Sequence, residues 1–385
     1  MPSPSILYFD QAATSYPKPE SVYRAADQAL RHAANPGRSA HQLALQSDHT
    51  VYSAREQIAH FVGLEDPLRL IFTSNATDAL NLAIHGIVRH GDHVVTTAME
   101  HNSVLRPLTA LEEQGVSHTI VPADFQGIVS VDSVKKAIRP NTRLVIANHV
   151  SNVCGAVQPI REIGELCHCQ GILFLVDASQ SAGIFPTRLD DLCADLIAAP
   201  GHKSLLGIQG TGILAVGPRA ELRPIRQGGT GSFSSDLHQP DILPDRLESG
   251  TLNVAGIAAL AAGIHWIETY GMDRIREHEQ NLAEIFINGL SGLTGVQVYA
   301  PQNPLFRSGT VSITLDHMDC SQVAFLLDRK YGIAVRPGLH CAPLAHQALG
   351  TFPQGSVRFS FGIFNTLEEV EAAICAVREL SRLQS

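Results

Sequence analysis

GILFLVDA, residues 171–178, is the stretch of sequence that decides the fold. It is a short apolar run that ends in an aspartate, which is typical of a strand buried on both faces of a parallel sheet. Similar apolar runs recur on both sides of it, at 68–74, 92–98, 142–149, 194–200 and 211–217. Segments with apolar residues at three-to-four spacing lie between the runs, at 77–89, 101–114, 130–139 and 159–170. This alternation predicts an α/β fold with a mostly parallel central sheet flanked by helices.

The chain changes character after this region. Residues 226–253 are rich in Gly, Ser, Pro and Asp and predict a long loop. A helical run at 254–290 follows, and then strand patterns near 296–299, 309–315 and 355–361 alternate with helices at 319–330 and 366–382. We therefore predict a large domain over residues 16–258. A smaller α+β domain would join residues 1–15 to 259–385, with the N-terminal strand ILYFD packed beside it.

Composition limits the possible partners. The chain has 385 residues and a net charge of −9, which gives no support to nucleic acid or an anionic membrane as a partner. The amino-terminal residues lack the basic start and apolar run of a signal peptide, and no apolar run approaches the ~18–20 residues that span a bilayer. We therefore expect a cytoplasmic protein.

The seven cysteines form an irregular set, which predicts reduced thiols in an unsecreted chain. Cys167, His168 and Cys169 lie in a predicted helix, where side chains two residues apart point to different faces. We therefore expect ordinary helix cysteines there and no metal site.

Lys203 lies among glycines and apolar residues in APGHKSLLGIQGTGIL, residues 199–214. A lysine in such surroundings is costly unless its charge is balanced or its amine is used. The segment has neither the GxxxxGK[ST] spacing of a P-loop nor the GxGxxG pattern that opens a dinucleotide-binding helix. A third interpretation is a lysine that bonds covalently to pyridoxal phosphate, which requires a phosphate site and a partner for the pyridine nitrogen.

Two segments could supply those requirements. Asp177 ends the apolar strand at 171–178, at the sheet edge where doubly wound folds bind ligands, and could keep the pyridine nitrogen protonated. An aspartate that caps a helix is the structural alternative. TSNATDALNLAI, residues 73–84, reads as strand, turn and helix, and the free N–H groups of such a helix start could hold a phosphate. Alone, this second pattern indicates only a helix cap.

In order and spacing, these segments resemble the cysteine desulfurase and selenocysteine lyase group of class V aminotransferase-like, fold-type I enzymes. The motifs that carry the resemblance run through almost the whole chain: YFDQAATS (8–15), NPGRSAH (35–41), TSNATDALN (73–81), MEHNS (99–103), HVSNVCG (149–155), VDASQ (176–180), GHK (201–203) and ESGTLN (248–253). The resemblance implies a fold-type I transferase fold and pyridoxal 5'-phosphate as cofactor. Pro200 departs from the pattern, because many desulfurases have serine before Gly-His-Lys.

The resemblance also implies which residues bind the cofactor. Ala76, Thr77 and His202 would face its phosphate, and His101 would stack on its pyridine ring. Asn152 would lie near its phenolic oxygen, Asp177 near its ring nitrogen, and Gln180 and Lys203 would complete the set. Thr251 would reach the phosphate site of a partner subunit, which implies a homodimer.

VRPGLHCAPLAH, residues 335–346, points to the reaction. It resembles the Arg-x-Gly-x-His-Cys-Ala segment of the compact desulfurase subgroup and puts Cys341 at the persulfide position. A nucleophilic thiol has to be ionised and open to approach, and the charges of Arg336 and His340 could favour the thiolate. A buried loop cysteine is the structural alternative.

Arg358 lies in the apolar strand pattern SVRFSFGIFNT, residues 356–366. An arginine there suits bidentate capture of a substrate carboxylate, and a salt-bridged structural arginine is the alternative. We expect Asn152, Arg336 and Arg358 to bind the substrate, and Lys203, Cys341 and His101 to be catalytic.

The predicted function is conversion of L-cysteine to L-alanine, with sulfur passing to Cys341 as a persulfide and then to an acceptor, for which a sulfur-acceptor protein is a candidate partner. Selenocysteine is a second candidate substrate, because the same electron sink serves C–Se cleavage. The alternative is a pyridoxal-phosphate-dependent aminotransferase or C–S (or C–Se) lyase that does not use Cys341. A nucleotide-binding module and a cofactor-binding scaffold without turnover are the other hypotheses.

Overall fold

A computed structural model describes residues 6–37 and 40–383. Its helices are α1 Glu20–His32, α2 Gln42–Phe61, α3 Ala76–Ile87, α4 Asn102–Glu112, α5 Val131–Ala137, α6 Ile160–Cys169, α7 Val254–Tyr270, α8 Met272–Leu290, α9 Cys320–Tyr331, α10 Pro343–Ala348 and α11 Leu367–Leu380. Its strands are β1 Leu7–Tyr8, β2 Leu70–Thr73, β3 His93–Thr97, β4 Ser117–Val121, β5 Thr142–Asn148, β6 Leu173–Asp177, β7 Leu196–Pro200, β8 Gly212–Val216, β9 Val296–Tyr299, β10 Thr310–Leu315, β11 Ile333–Ala334, β12 Arg336–Gly338 and β13 Ser356–Ser360. Residues 38 and 39 of the predicted 35–41 motif, and residues 1–5 and 384–385 of the predicted small domain, lie outside the described residues.

The central sheet has seven strands in the order β2-β8-β7-β6-β5-β3-β4. The strands from β7 to β4 pair in parallel, whereas β8 pairs antiparallel with both β7 and β2. The prediction of an α/β fold with a mostly parallel sheet is confirmed.

Strand β6 lies within the apolar run at 171–178 and is buried on both faces. Leu173 and Leu175 pack into a core with α3 and α4, while Phe174 and Val176 pack into a second core with α2, α6 and α7. Successive side chains of a strand point to opposite faces, so this strand needs apolar residues at consecutive positions. A fully buried side chain of this size contributes roughly 1.5–3 kcal/mol, which explains why the run is so uniformly apolar.

A second sheet forms away from the first. Its four strands are antiparallel in the order β12-β13-β10-β9, and β1 pairs separately with β11 in parallel. A third core, centred on Phe9, Phe286 and Phe359, lies between these strands and the helices α8, α9 and α11. The N-terminal strand therefore packs with the C-terminal third of the chain.

The helical run predicted at 254–290 is two helices. Gly271 separates α7 from α8 with a φ of 101°, a conformation that residues other than glycine rarely adopt. Helix α7 contacts α1 and α2, whereas α8 contacts α11. The division into domains remains a prediction.

Residues 218–253, which the structure describes throughout, contain no helix or strand. None of the helices within the described residues combines the length and the apolar composition needed to cross a bilayer.

Candidate active site

A cleft opens at the carboxyl edge of the parallel strands. Strands β5, β6 and β7 end there at Asn148, Asp177 and Pro200. Asn148 pairs with Asp177, and Asp177 pairs with Ala198. Doubly wound sheets bind ligands at this edge. The cleft encloses about 530 Å³, open solvent included, and its lining includes eight of the residues predicted for the cofactor: Ala76, Thr77, His101, Asn152, Asp177, Gln180, His202 and Lys203.

The first turn of α3 forms one wall of the cleft. Asn75 caps this helix by accepting a hydrogen bond from the N–H of Asp78 at 2.9 Å, and Ala76 and Thr77 follow in the first turn. The unpaired N–H groups of a helix start attract anions.

His202 also fits an anionic ligand. Its Nδ1 is buried and has no hydrogen-bond partner among the described residues. Burial, together with the charges of Lys203 and Lys18, lowers the pKa of His202 to about 4, so the ring is neutral. A phosphate at the start of α3 would give this nitrogen a partner, and the residues present therefore fit pyridoxal phosphate.

Strand β8 approaches the start of α3 closely. A Cβ atom added to Gly212 would lie 2.6 Å from the carbonyl carbon of Asn75 and 2.7 Å from Oγ1 of Thr73. Any side chain at residue 212 would therefore displace the turn that positions Ala76 and Thr77.

The backbone before Lys203 is held by the N-terminal segment. The carbonyl oxygen of His202 accepts hydrogen bonds from Ser15 N at 3.1 Å, Ser15 Oγ at 3.1 Å, Thr14 Oγ1 at 3.1 Å and Lys18 Nζ at 3.2 Å. The carbonyl of Lys203 accepts from Leu206 N at 2.8 Å, which closes a tight turn. Lys203 is thus fixed at the cleft by its backbone.

The amine of Lys203 has a lowered pKa of about 8. Burial is the main cause, and the positive charges of Arg358 and Arg336 act in the same direction. The negative charges of Asp177 and Cys341 act in the opposite direction. The groups that act on this amine are therefore residues that sequence analysis assigned to the cofactor, to the substrate or, for Cys341, to catalysis.

His101 is the N-cap of α4, and its ring borders the cleft. Its Nδ1 accepts a hydrogen bond from Ser103 N at 3.1 Å, which leaves the ring proton of the neutral form on Nε2. Burial lowers the pKa of His101, Asp177 opposes this, and Lys203 and Arg336 reinforce it. The ring is thus kept neutral with one assigned tautomer.

Sequence reasoning missed Glu100, which is fully buried next to His101 in the chain. Its Oε1 accepts hydrogen bonds from Thr97 Oγ1 at 2.6 Å and Asn148 N at 2.9 Å, and its Oε2 has no partner among the described residues. Burial, helped by the charge of Asp177, raises the pKa of Glu100 to about 8. The available signal was a glutamate inside the motif MEHNS.

Cys341 lies in an exposed turn after β12. Arg336 Nη2 donates to Cys341 Sγ at 3.7 Å. The turn is tied to the large sheet by Asn102 N, which donates to Cys341 O at 2.7 Å, and by Asn152 Nδ2, which donates to His340 O at 2.8 Å. Burial lowers the pKa of His340 to about 3. His340 is therefore neutral, and of the two cations expected at the thiol only Arg336 carries a charge.

Arg358 is completely buried and forms the salt bridge that sequence analysis named as its alternative role. Its Nη2 donates to Asp10 Oδ1 at 2.8 Å, and its Nη1 donates to the carbonyl oxygen of Asn152 at 3.0 Å. Its Nε has no hydrogen-bond partner among the described residues, so this N–H remains available as a donor.

Of the nine residues predicted to bind the cofactor, Thr251 is the one that the cleft lining does not include. The predicted substrate and thiol residues Arg336, Arg358 and Cys341 are also outside this lining, on or directly after strands of the four-stranded sheet. Thr251 is exposed and lines a separate cavity beside the buried Arg55–Glu248 ion pair. Because the resemblance placed its hydroxyl in a partner subunit, its role stays a prediction.

The comparisons with known proteins agree with this geometry. The family model for aminotransferase class-V matches residues 7–373. A protein of Methanothermobacter thermautotrophicus named "Probable cysteine desulfurase" is 36% identical over 372 residues, which cover 95% of this chain and 92% of that protein. The cysteine desulfurase of Haloferax volcanii is 31% identical, with coverage of 97% and 90%.

Solved structures show the same similarity. The apo structure of a cysteine desulfurase from Thermococcus onnurineus superposes with a TM-score of 0.92 at 34% identity, and the match covers 98% of this chain and 95% of that one. A cysteine desulfurase from Escherichia coli gives a TM-score of 0.86 at 28% identity, with coverage of 98% and 96%. With its cleft, its lysine and its thiol in this arrangement, the chain belongs to the cysteine desulfurase group of the class-V aminotransferase family, whose members depend on pyridoxal phosphate.

Proposed function

We propose that this protein converts L-cysteine to L-alanine and transfers the sulfur to Cys341. One observation carries the proposal: Asn152, which lines the cleft together with Lys203 and Asp177, donates from Nδ2 to His340 O at 2.8 Å and so holds the turn of Cys341 against the cleft. A cofactor-binding amine, a carboxylate and a thiol are the three groups that desulfuration requires.

The cleft residues would hold pyridoxal phosphate. Lys203 would bond to it covalently, and Asp177 would hold a proton on its ring nitrogen. Ala76, Thr77 and His202 would bind the phosphate. His101 would cover one face of the ring, and Asn152 and Gln180 would border it. When bound, the cofactor supplies an electron sink that makes the substrate's Cα–H bond acidic.

The protein's own groups would then bind substrate and move protons. Arg358 Nε, with help from Asn152 and Arg336, would bind the substrate carboxylate. Lys203 would take the proton from the substrate's Cα, because an amine with a pKa of about 8 is partly unprotonated near neutral pH. The neutral His101 could donate or accept a proton on the opposite side of the reacting atoms.

The sulfur step needs no outside oxidant. Sγ of Cys341 would attack the sulfur of the substrate, an S–S bond would form, and the substrate's C–S bond would break. The three-carbon fragment would keep the electron pair, gain a proton at Cβ, regain the Cα proton from Lys203 and leave as alanine. Arg336, at 3.7 Å from Sγ, would stabilise the thiolate before the attack.

Several finer points belong to the same proposal. The persulfide would pass to an acceptor protein or a small thiol, and selenocysteine would serve as a second substrate. Thr251 would act in a homodimer by reaching the partner's phosphate site, and the protein would work in the cytoplasm.

Mass spectrometry of Cys341 after incubation with L-cysteine tests the proposal. We expect the peptide that contains Cys341 to gain the mass of one sulfur atom, and alanine to form in step with it. Cys375 is exposed on the far helix α11, so Cys375→Ala serves as the matched control and should leave both signals unchanged.

The alternative, a lyase that does not use Cys341, makes a different prediction. Cys341→Ala should abolish alanine formation in a desulfurase, by roughly 10²-fold or more, because the nucleophile is lost. If Cys341→Ala still releases sulfide or a keto acid from cysteine at the wild-type rate, the lyase hypothesis replaces the proposed function.

A further inference from the structure

The turn that carries Cys341 has an unusual backbone. His340 has a φ of 50° and Cys341 a φ of 57°, so two consecutive residues with side chains are left-handed. Residues other than glycine rarely adopt this conformation, and it persists only where surrounding contacts hold it. The contacts that hold this turn therefore decide where Sγ of Cys341 points.

A buried chain of hydrogen bonds runs from Thr351 to this turn. Thr351 Oγ1 lies 2.6 Å from His346 Nδ1, and His346 Nε2 lies 3.1 Å from His340 Nδ1. His340 Nε2 lies 2.9 Å from the carbonyl oxygen of Arg336. The side chains of Thr351, His346 and His340 are almost completely inaccessible, at 5%, 0% and 2% exposure.

The proton positions in this chain follow from its last acceptor. A carbonyl oxygen only accepts, so His340 Nε2 carries a proton, and Nδ1 of the neutral ring must accept. His346 Nε2 therefore donates to His340, and His346 Nδ1 accepts from the hydroxyl of Thr351. Burial is the main reason that the pKa of His340 falls to about 3 and that of His346 to about 4, in agreement with two neutral rings.

The last hydrogen bond of this series joins the two residues that adjoin Cys341. Arg336, whose carbonyl receives the last hydrogen bond, also donates from its side chain to Cys341 Sγ. His340, the last ring, directly precedes Cys341. The hydrogen bonds thus fix the backbone that carries the thiol relative to the backbone that carries its cation.

We propose that His346 and Thr351 are positioning residues that hold Cys341 beside Arg336 through His340. This role rests on the proposed function of Cys341 as sulfur acceptor. Among the described residues neither His346 nor Thr351 has a hydrogen bond to Cys341, so their hydrogen bonds reach it only through His340 and Arg336. Without the donor at His346 Nε2, the acceptor at His340 Nδ1 is buried without a partner, and the turn relaxes toward an unstrained conformation.

The test compares His346→Leu with the conservative His346→Gln, whose amide can still donate to His340. His317 is a partly buried histidine whose Nε2 bonds to the carbonyl of Leu380, so His317→Leu controls for the general loss of a histidine. Thr351→Val, which keeps the shape and removes the hydroxyl, is the second variant if His346→Leu does not fold. All variants are purified as holoenzymes and compared by their cofactor absorption.

Two readouts are measured. The first is kcat and KM for alanine formation. The second is the pH profile of iodoacetamide alkylation at Cys341, resolved by peptide mass spectrometry, with the exposed Cys375 as internal reference. For His346→Leu we expect kcat to fall about tenfold or more with KM within about threefold, because a small displacement of the nucleophile is costly. The rate of Cys341 alkylation relative to that of Cys375 should change by about threefold or more across the profile, because Sγ no longer lies beside the Arg336 guanidinium.

Support requires the fall in kcat, the changed alkylation at Cys341 alone, and substantial recovery of both in His346→Gln. The proposal is overturned if the folded variant keeps the wild-type alkylation profile, whether or not kcat changes. If the wild-type protein forms no persulfide at Cys341, the proposed function itself fails. That result differs from the supporting and the overturning outcome, because it is measured on the wild type alone.

Discussion

Lys203 lines the cleft, and burial lowers the pKa of its amine to about 8. A lysine among glycines and apolar residues predicted an amine that is used, and its place in the cleft is consistent with that. The extent of the pKa change could not be predicted, because it depends on burial and on Arg336 and Arg358, which are distant in the chain. His340 illustrates the same limit, since sequence analysis treated it as a cation and burial makes it neutral.

The pKa of Lys203 predicts the pH dependence of cofactor capture. Protein freed of cofactor should recombine with pyridoxal phosphate at a rate that rises with pH and levels off above a midpoint near 8, because only the unprotonated amine attacks the aldehyde. The rate is followed by the visible absorption of the recombined protein. Lys203→Ala should form no adduct that borohydride fixes, and a wild-type rate that rises only above pH 10 would contradict the assignment.

At the scale of elements, apolar periodicity predicted most of the architecture. The pattern at 171–178 became β6, and the helical patterns at 77–89 and 159–170 became α3 and α6. The break between α7 and α8 was not predicted, because apolar spacing continues through Gly271 and only its φ reveals the turn. The type of each element could therefore be predicted from apolar spacing. A break within a helical run could not, because it depends on which core the two helices on either side of it pack against.

The contact between β8 and the start of α3 makes a testable prediction. Gly212→Ala should weaken pyridoxal phosphate binding by roughly tenfold or more and destabilise the protein by about 1–3 kcal/mol, because the new Cβ displaces the turn at Asn75. Cofactor titration and thermal unfolding measure the two effects. Gly228→Ala is the control, since its Cβ would meet only Ser249 Cβ at 3.7 Å. Wild-type affinity in Gly212→Ala would show that the turn does not position the phosphate site.

At the scale of the whole molecule, the site combines groups from both sheets. Lys203 and Asp177 lie at the edge of the seven-stranded sheet, whereas Arg336 and Arg358 lie on adjacent strands of the four-stranded sheet. Motif order could suggest that these residues meet, but not which donors they use. Nη2 of the Arg358 guanidinium donates to Asp10, and this contact joins residues near opposite ends of the chain. The role predicted for Thr251 involves a second subunit and stays a prediction.

Glu279 gives a prediction for the stability of the whole molecule. It is 6% exposed on α8, and it has no hydrogen bond or ion pair among the described residues. Burial raises the pKa of Glu279 from 4.5 to about 8. Between these values the unfolded chain loses this proton while the folded chain keeps it, so the free energy of unfolding falls as pH rises from about 4.5 to 8.

Glu279→Gln removes this proton linkage. The melting temperature of this variant should therefore exceed that of the wild type, and the difference should grow from pH 5 to pH 8. At pH 8 the difference in the free energy of unfolding should reach roughly 2–4 kcal/mol. Glu277→Gln, an exposed position on the same helix, should show no such trend. A stability difference that is constant across this pH range would refute the linkage.

The four hydrogen bonds on the carbonyl of His202 have a consequence for biosynthesis. Their donors lie in residues 14–18, directly after a strand that pairs with β11 and a bridge from Asp10 to Ser360. A nascent polypeptide still attached to the ribosome at residue 330 lacks those later partners. The segment that anchors the lysine then lacks its own support on the C-terminal strands, so stable loading of the vitamin B6 coenzyme is expected only after nearly the full chain has been released.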